Sequence, residues 1–401
     1  AVKRERKSAL LLFGLVVTAI VALGLVVVSS ASEANADRLF SNPYYFTQRQ
    51  FAYAFAGVLV AIVTSTFNYR NWRDYPWLTW LFFGCVFGLL VLVLFFDPIN
   101  GSRRWISFGG VRMQPSEFAK VATIISVSMI LDKAGWRVEL FKHGALFPIL
   151  AIGFFVVPIV MEPDFGSAVV VGLLGLVLMV VGGVRMLHLS PLFAVGVIGI
   201  AYKVFTNPNR MARIAAFFGI DPNRMARIAS FFGIEVRNAS SEAVVNAGHQ
   251  SYQALVAISR GGINGVGLNQ SMQKEFYLPE AHTDFIFAIG AEEMGIFFSI
   301  GALLLFFLFF ALSVYIARNA ADRFGRFLVI GMATMIFFQM MFNIGVVSEA
   351  LPTKGMALPF FSYGGTNMVT SFFAVGTILS VGIHSYTSKK HALVNKVVKR
   401  A

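Results

Sequence analysis

Charge is scarce in this 401-residue chain: 13% of its residues are charged, 57% are hydrophobic, and the mean hydropathy is +0.71. A soluble domain carries about one quarter charged residues, so an ordinary soluble enzyme is excluded, and intrinsic disorder with it. Cysteine is nearly absent. Cys85 stands alone inside an apolar run, which excludes an intrachain disulfide and a cysteine metal cluster. The six histidines are scattered and never four apart, so no zinc site is indicated. There is no Walker sequence and no G-x-S-x-G elbow, and GGINGVG at Gly261–Gly267 lacks the spacing of a dinucleotide fingerprint. Acid is the scarcer sign, 20 Asp+Glu against 33 Lys+Arg, for a net charge of +13. A basic excess suits nucleic acid or anionic lipid and phosphate groups. The hydropathy decides for the membrane, and no nucleic-acid partner is expected.

What is abundant is apolar length. A helix needs about 20 apolar residues to cross the hydrocarbon core, and about ten segments qualify by that measure: 8–30, 50–67, 78–96, 114–132, 146–162, 166–184, 190–206, 288–316, 327–349 and 367–385. Backbone groups in lipid must bond internally, and runs such as Leu303–Phe310 show no alternation, so these are helices rather than barrel strands. The first segment is too long for a signal-peptide core and lacks a cleavage site, which makes it a retained span. Basic residues cluster before the first span (Lys3, Arg4, Arg6, Lys7) and after the second (Arg70, Arg73), the fourth (Lys133, Arg137, Lys142), the eighth (Arg318, Arg323, Arg326) and the last (Lys389, Lys390, Lys396, Lys399, Arg400). An even span count places all of them, and both termini, in the cytoplasm. The expectation is an all-α polytopic membrane protein. Residues 1–401 form one membrane domain, with a long extracytoplasmic loop, 207–282, before the eighth span.

That loop carries Arg210, Arg213, Arg224, Arg227, Arg237, Arg260 and Lys274, external cations that orientation does not require and that suggest an anionic ligand on the outer face. It also holds a tandem repeat, PNRMARIAAFFGI at Pro208–Ile220 and PNRMARIASFFGI at Pro222–Ile234. Each copy reads as a short amphipathic interfacial helix. The alternatives are a doubled membrane-surface element and a duplication that a surface loop tolerates at low cost.

Ionisable residues at span edges are costly and mark functional sites by default. Glu117 and Lys120, in QPSEFAK after Pro115, share one helix face, as a ligand-binding pair or a structural ion pair. Asp164, in EPDFG between two spans, is a site residue or a helix N-cap. Lys354, in LPTKG, precedes SYGGT, whose glycines permit close approach to a ligand or a tight re-entrant turn. Asp284, in LPEAHTDFIFA where the long loop meets the eighth span, is either a cap or a base. With a reference pKa near ~3.9 a carboxyl is ionised at neutral pH and can accept a proton.

Five blocks in order, GSRRWI (101–106), QPSEFAK (114–120), EPDFGS (162–167), LPEAHTDFIFA (278–288) and LPTKGMALPFFSYGG (351–365), together resemble the shape, elongation, division and sporulation (SEDS) membrane proteins, the peptidoglycan glycosyltransferases of the RodA and FtsW type. The LPTKG form is more similar to the FtsW type than to RodA. The resemblance implies septal polymerisation of lipid II on the outer face of the cytoplasmic membrane. The 4-hydroxyl of N-acetylglucosamine would attack lipid-linked N-acetylmuramic acid with inversion, Asp284 would be the general base, and undecaprenyl pyrophosphate would leave. It associates Glu117, Lys120, Asp164 and Lys354 with a central cavity. Arg103, Arg104, Lys120 and Lys354 are the donors expected on the diphosphate, where charge stabilisation is worth most. No cofactor is required, since the sugar carries its own leaving group, though outer-face carboxylates could hold a divalent cation. The implied partners are a class B penicillin-binding transpeptidase and other divisome proteins. The chain departs from the family pattern at Glu162, usually Gln, at Ser167, usually Thr, and at Glu349, commonly glycine. A lipid II flippase, an elongation polymerase and an inactive scaffold are the alternative readings.

Overall fold

The computed structural model describes residues 2–98, 103–108, 111–205, 241–278, 280–351 and 355–398. The doubled segment 208–234 and Lys354 lie outside the described residues. The helices are α1 (Val2–Phe40), α2 (Tyr45–Thr66), the short α3 (Asn71–Asp74), α4 (Pro76–Leu92), α5 (Pro115–Ala134), α6 (Phe147–Met161), α7 (Phe165–Gly182), α8 (Met186–Phe205), α9 (Ser241–Gly261), α10 (Ile286–Arg318), α11 (Arg323–Val347) and α12 (Gly365–Val398). Each of the ten expected spans coincides with one of them. Eight helices among the described residues are long and apolar enough to cross a bilayer. The two further segments read as spans from the sequence are the 20-residue helices α5 and α8, which are not among those eight. Glu117, Lys120, Asp132 and Lys133 lower the apolar character of α5, which is buried over most of its length.

Two ends of the bundle are distinguished by which loops touch. At one end Arg70 pairs with Asp322 at 2.9 Å, Arg73 with Asp132 at 3.3 Å and Arg185 with Glu139 at 2.7 Å. The loops after the second, fourth and eighth expected spans thus meet at one end, joined there by the Arg185 loop. At the other end Gln50 meets Ser362, Gln114 meets Asp164 and Thr366, and His282 meets Tyr363. This polar end carries the candidate residues.

Apolar surface in lipid does not drive helices together, so close association falls to small residues. The α2–α12 pair shows this. A side chain at Gly376 would overlap Thr64 and Ala61, and one at Gly57 would overlap the Phe372 ring. By contrast α10 leaves Phe297, Leu304 and Phe307 exposed, and α4 leaves Trp77, Trp80 and Leu81, as faces turned to hydrocarbon do.

Three features depart from the expectation. The loop 97–114 contains a two-stranded antiparallel hairpin, Ile106–Phe108 with Val111–Met113. The long loop holds the 21-residue helix α9 and a π turn at Gln273–Tyr277. And α10 is not one straight span but breaks at Gly295 (φ 68°, ψ −157°), a conformation open almost only to glycine. Tertiary contact makes the break. The glycine-rich turn 261–267 lies so close that a side chain at Gly295 would overlap Ile263 O and Gly265 N. Val266 N–H and Gly267 N–H donate to Glu292 O and Glu293 O, each at 3.0 Å, and Ile296 N–H donates to Gly262 O at 3.0 Å. The backbone groups that a kink in lipid would orphan are thus paired. Below the turn the buried Lys274 Nζ–Glu293 pair (3.2 Å) is joined by Ser30 of α1, whose Oγ donates to Glu293 Oε1 at 2.6 Å. These bonds hold the first segment of α10, and Asp284 just before it, to α1.

Candidate functional site

The polar end is where α2, α5, α7, α10 and α12 begin and α11 ends. A helix N-terminus carries roughly half a positive charge and unpaired N–H groups. The helices α1, α4, α6 and α11 end there too, and their C-terminal partial charges offset these.

Pro115 starts α5 without losing a helical hydrogen bond, and the first turn then carries Glu117 and Lys120. Their side chains meet at 2.7 Å and are almost wholly enclosed. Gln339 Nε2 of α11 and Asn367 Nδ2 of α12 each donate to Glu117 Oε2 at 3.4 Å. Lys120 is therefore a charge already paired with Glu117, and the pair is buried where breaking it is expensive. Asp164 caps α7, accepting from Ser167 N at 3.3 Å and Ser167 Oγ at 2.6 Å. It also accepts from Gln114 Nε2 at 3.1 Å, while Gln114 N–H donates to Thr366 Oγ1 at 3.1 Å. Of the two readings of Asp164, the helix N-cap is the one these contacts show. Glu162, two residues earlier, is fully buried with both carboxylate oxygens unpartnered among the described residues. Burial, with Asp164 beside it, pushes its carboxyl up to about 8.

Asp284 is half-buried just before α10. Its carboxylate lies flush on Gly355 of the LPTKG block, so that a β-carbon at Gly355 would overlap Oδ2. Neighbouring bonds fix the segment. Ser362 Oγ donates to Thr283 O at 2.5 Å, Tyr363 N–H donates to His282 O at 3.0 Å, and Asn343 Nδ2 donates to Asp284 O at 2.7 Å. Gln50 Nε2 secures Ser362 O at 3.0 Å. His282 packs on Phe46 with ring centroids 4.8 Å apart, and burial holds its imidazole below the usual value against the pull of Glu280.

The structure thus joins the 114–120, 162–167, 278–288 and 351–365 blocks in one polar network. Gln339 and Asn343, four residues apart on α11, link its two halves. At 1.5 Å per residue the Glu117–Lys120 pair and the Asp284 segment contact α11 at levels about 6 Å apart along the helix axis. The arginines stand apart. Arg103 is exposed and donates to Leu94 O at 3.0 Å, at the end of α4. Arg104 keeps a buried Nε without an acceptor among the described residues, a donor suited to an anion. Sequence reasoning missed Gln50, Gln339, Asn343 and Asn367. Amides inside apolar spans are the signal that could have found them.

A family model described as cell cycle protein, named for FtsW, RodA and SpoVE, matches residues 10–387. A probable peptidoglycan glycosyltransferase FtsW of Geobacter metallireducens is 35% identical over 372 residues, covering 92% of each chain. Stage V sporulation protein E of Bacillus subtilis is 36% identical over 385 residues, covering 95% of this chain and 99% of that one. Among solved structures, one described as the structural coordination of polymerization and crosslinking by a peptidoglycan synthase complex superposes with a TM-score of 0.67 at 26% identity, covering 93% of this chain and 97% of that one. The rod shape determining protein RodA of Thermus thermophilus, at 24% identity, shares the fold with a TM-score of 0.61, over 93% of this chain and 96% of that one.

Proposed function

Because the chain belongs to the FtsW, RodA and SpoVE family of cell cycle proteins, we propose that it is a multi-pass membrane peptidoglycan glycosyltransferase that polymerises lipid II on the outer face of the cytoplasmic membrane. The activity named for its relatives supports the reaction class. The observation that carries the assignment of the base is the seat of Asp284, a half-buried carboxylate held against Gly355 at the polar end of the bundle.

The chemistry follows from that seat. Asp284 takes the proton from the 4-hydroxyl of the acceptor N-acetylglucosamine. The oxygen attacks the anomeric carbon of the lipid-linked N-acetylmuramic acid, its bond to the diphosphate breaks, and undecaprenyl pyrophosphate departs from the opposite face with inversion. With Lys120 already paired with Glu117, Arg104, whose Nε is buried without an acceptor among the described residues, and Lys354 are the cations proposed to stabilise the charge that develops on the diphosphate. No nucleotide is consumed. Glu117 and Asp164 hold this wall in register, with their oxygens engaged by Lys120, Gln339 and Asn367 and by Ser167 and Gln114, and no group of three metal-ligating side chains occurs among the described residues. The LPTKG form with Lys354 favours the septal role, and a class B transpeptidase is the partner proposed for crosslinking, in keeping with the polymerization and crosslinking complex whose fold this chain shares.

The test uses the purified full chain with labelled lipid II, alone and in proteoliposomes. Glycan strands with no translocation are expected. Translocation without polymer would replace this reading by a flippase, and neither activity, with the transpeptidase present, by a scaffold.

A further inference from the structure

Asn343 lies on α11, 1% exposed, near the end of the helix at Val347. Its Nδ2 donates to two main-chain carbonyls from separate parts of the chain, Asp284 O at 2.7 Å and Met356 O at 2.6 Å. A third contact closes a triangle, for the Asp284 carboxylate lies on Gly355, the neighbour of Met356. The backbone of Asp284, its own side chain and the 355–356 strap are thus tied through one amide. Its Oδ1 is buried without a partner. Leu or Met would fill the space and spare the unpartnered Oδ1, but would take the donor away from both carbonyls, so the amide is explained by the two carbonyls it joins rather than by packing.

We propose that Asn343 is a positioning residue, a clamp that fixes the 355–356 strap against the start of α10 and so sets the direction of the Asp284 carboxylate. The inference rests on the reading of Asp284 as the base. Three constraints make the direction depend on the clamp. The main chain at Asp284 is held by Asn343 and, one residue earlier, by Ser362. The carboxylate is confined on one side by Gly355. The strap carrying Gly355 is held to the same α11 amide through Met356 O. Releasing Nδ2 frees the strap to move relative to Asp284, and the carboxylate loses its fixed wall. A misplacement of about 1 Å in a reacting group costs on the order of a hundredfold in rate. Substrate binding elsewhere on the network, at Glu117, Lys120 and Asp164, is untouched.

The experiment compares wild type, Asn343→Leu, Asn343→Asp and Asp284→Asn as full-length protein in detergent, with lipid II polymerisation and thermal unfolding measured on each. For Asn343→Leu the expected result is a fall in kcat of about tenfold to a hundredfold with KM changed by less than about twofold. For Asn343→Asp, an ionised carboxylate facing two carbonyls has no donor, whereas the protonated acid recovers one. Its activity relative to wild type is therefore expected to rise as the pH falls from about 8 to about 6. Wild-type kcat in Asn343→Leu, a loss confined to KM, or a flat relative pH profile in Asn343→Asp would overturn the proposal. Should Asn343→Leu fail to fold, the pH profile of Asn343→Asp decides alone. If Asp284→Asn is inactive while Asn343→Leu matches wild type, the clamp fails and the base stands. If Asp284→Asn is fully active, the base reading itself fails.

Discussion

At Gly355 the absence of a side chain is itself a working part, because the space a β-carbon would take is occupied by the Asp284 carboxylate. Gly355→Ala is expected to push the carboxylate aside. Polymerisation should drop by about a hundredfold, while the thermal midpoint holds, since the position is exposed. Wild-type rates in that variant would mean the contact has no role. Glu162 makes a different point. Its carboxyl, pushed up to about 8 by burial and by Asp164, binds its proton more tightly folded than unfolded. The native state therefore loses stability as pH rises from the unfolded value of 4.5 through about 8. Glu162→Gln, the residue usual in the family, is expected to remove that slope and to raise the unfolding midpoint at pH 8 more than at pH 5. Equal midpoint shifts at both pH values would contradict it. The charged members of the site were legible in the sequence, because Asp, Glu and Lys at span edges stand out against apolar neighbours. Asn343 and Gln339 were not, because a neutral amide in a span costs little on any hydropathy measure and its importance lies in what it touches.

Helices follow the same division between local signal and tertiary cause. The spans are readable within a few residues because length and apolarity are properties of the segment alone. The break in α10 at Gly295 is not, since an apolar run on both sides hides it and the partner that imposes it is the 261–267 turn. That GGINGVG stretch matched no ligand fingerprint because its glycines serve close backbone packing against the kink. The end of α11 shows the converse. Glu349 sits at φ 56°, in the left-handed region that favours glycine, and glycine is common at this position in the family. The exposed side chain gains no burial in return. Glu349→Gly is expected to stabilise the protein by about 1 kcal/mol, read as a higher thermal midpoint with unchanged polymerisation. A lower midpoint would mean that the carboxylate has a partner worth more than the strain.

Among the described residues, one end of the bundle carries paired surface charges and the other an enclosed polar network. The proposed reaction suits this arrangement: in it the diphosphate of a lipid-linked donor stays near the membrane surface while the sugars reach Asp284 at the mouth of the bundle. In the proposed reaction, removing the Asp284 carboxylate should abolish chemistry without disturbing the fold. The decisive measurement is the steady-state rate of lipid II polymerisation by purified Asp284→Asn against wild type, at matched thermal stability. A general base contributes about 10² to 10⁴-fold, and a loss within that range or beyond is predicted. Polymer formed at the wild-type rate by the Asn variant would contradict the account.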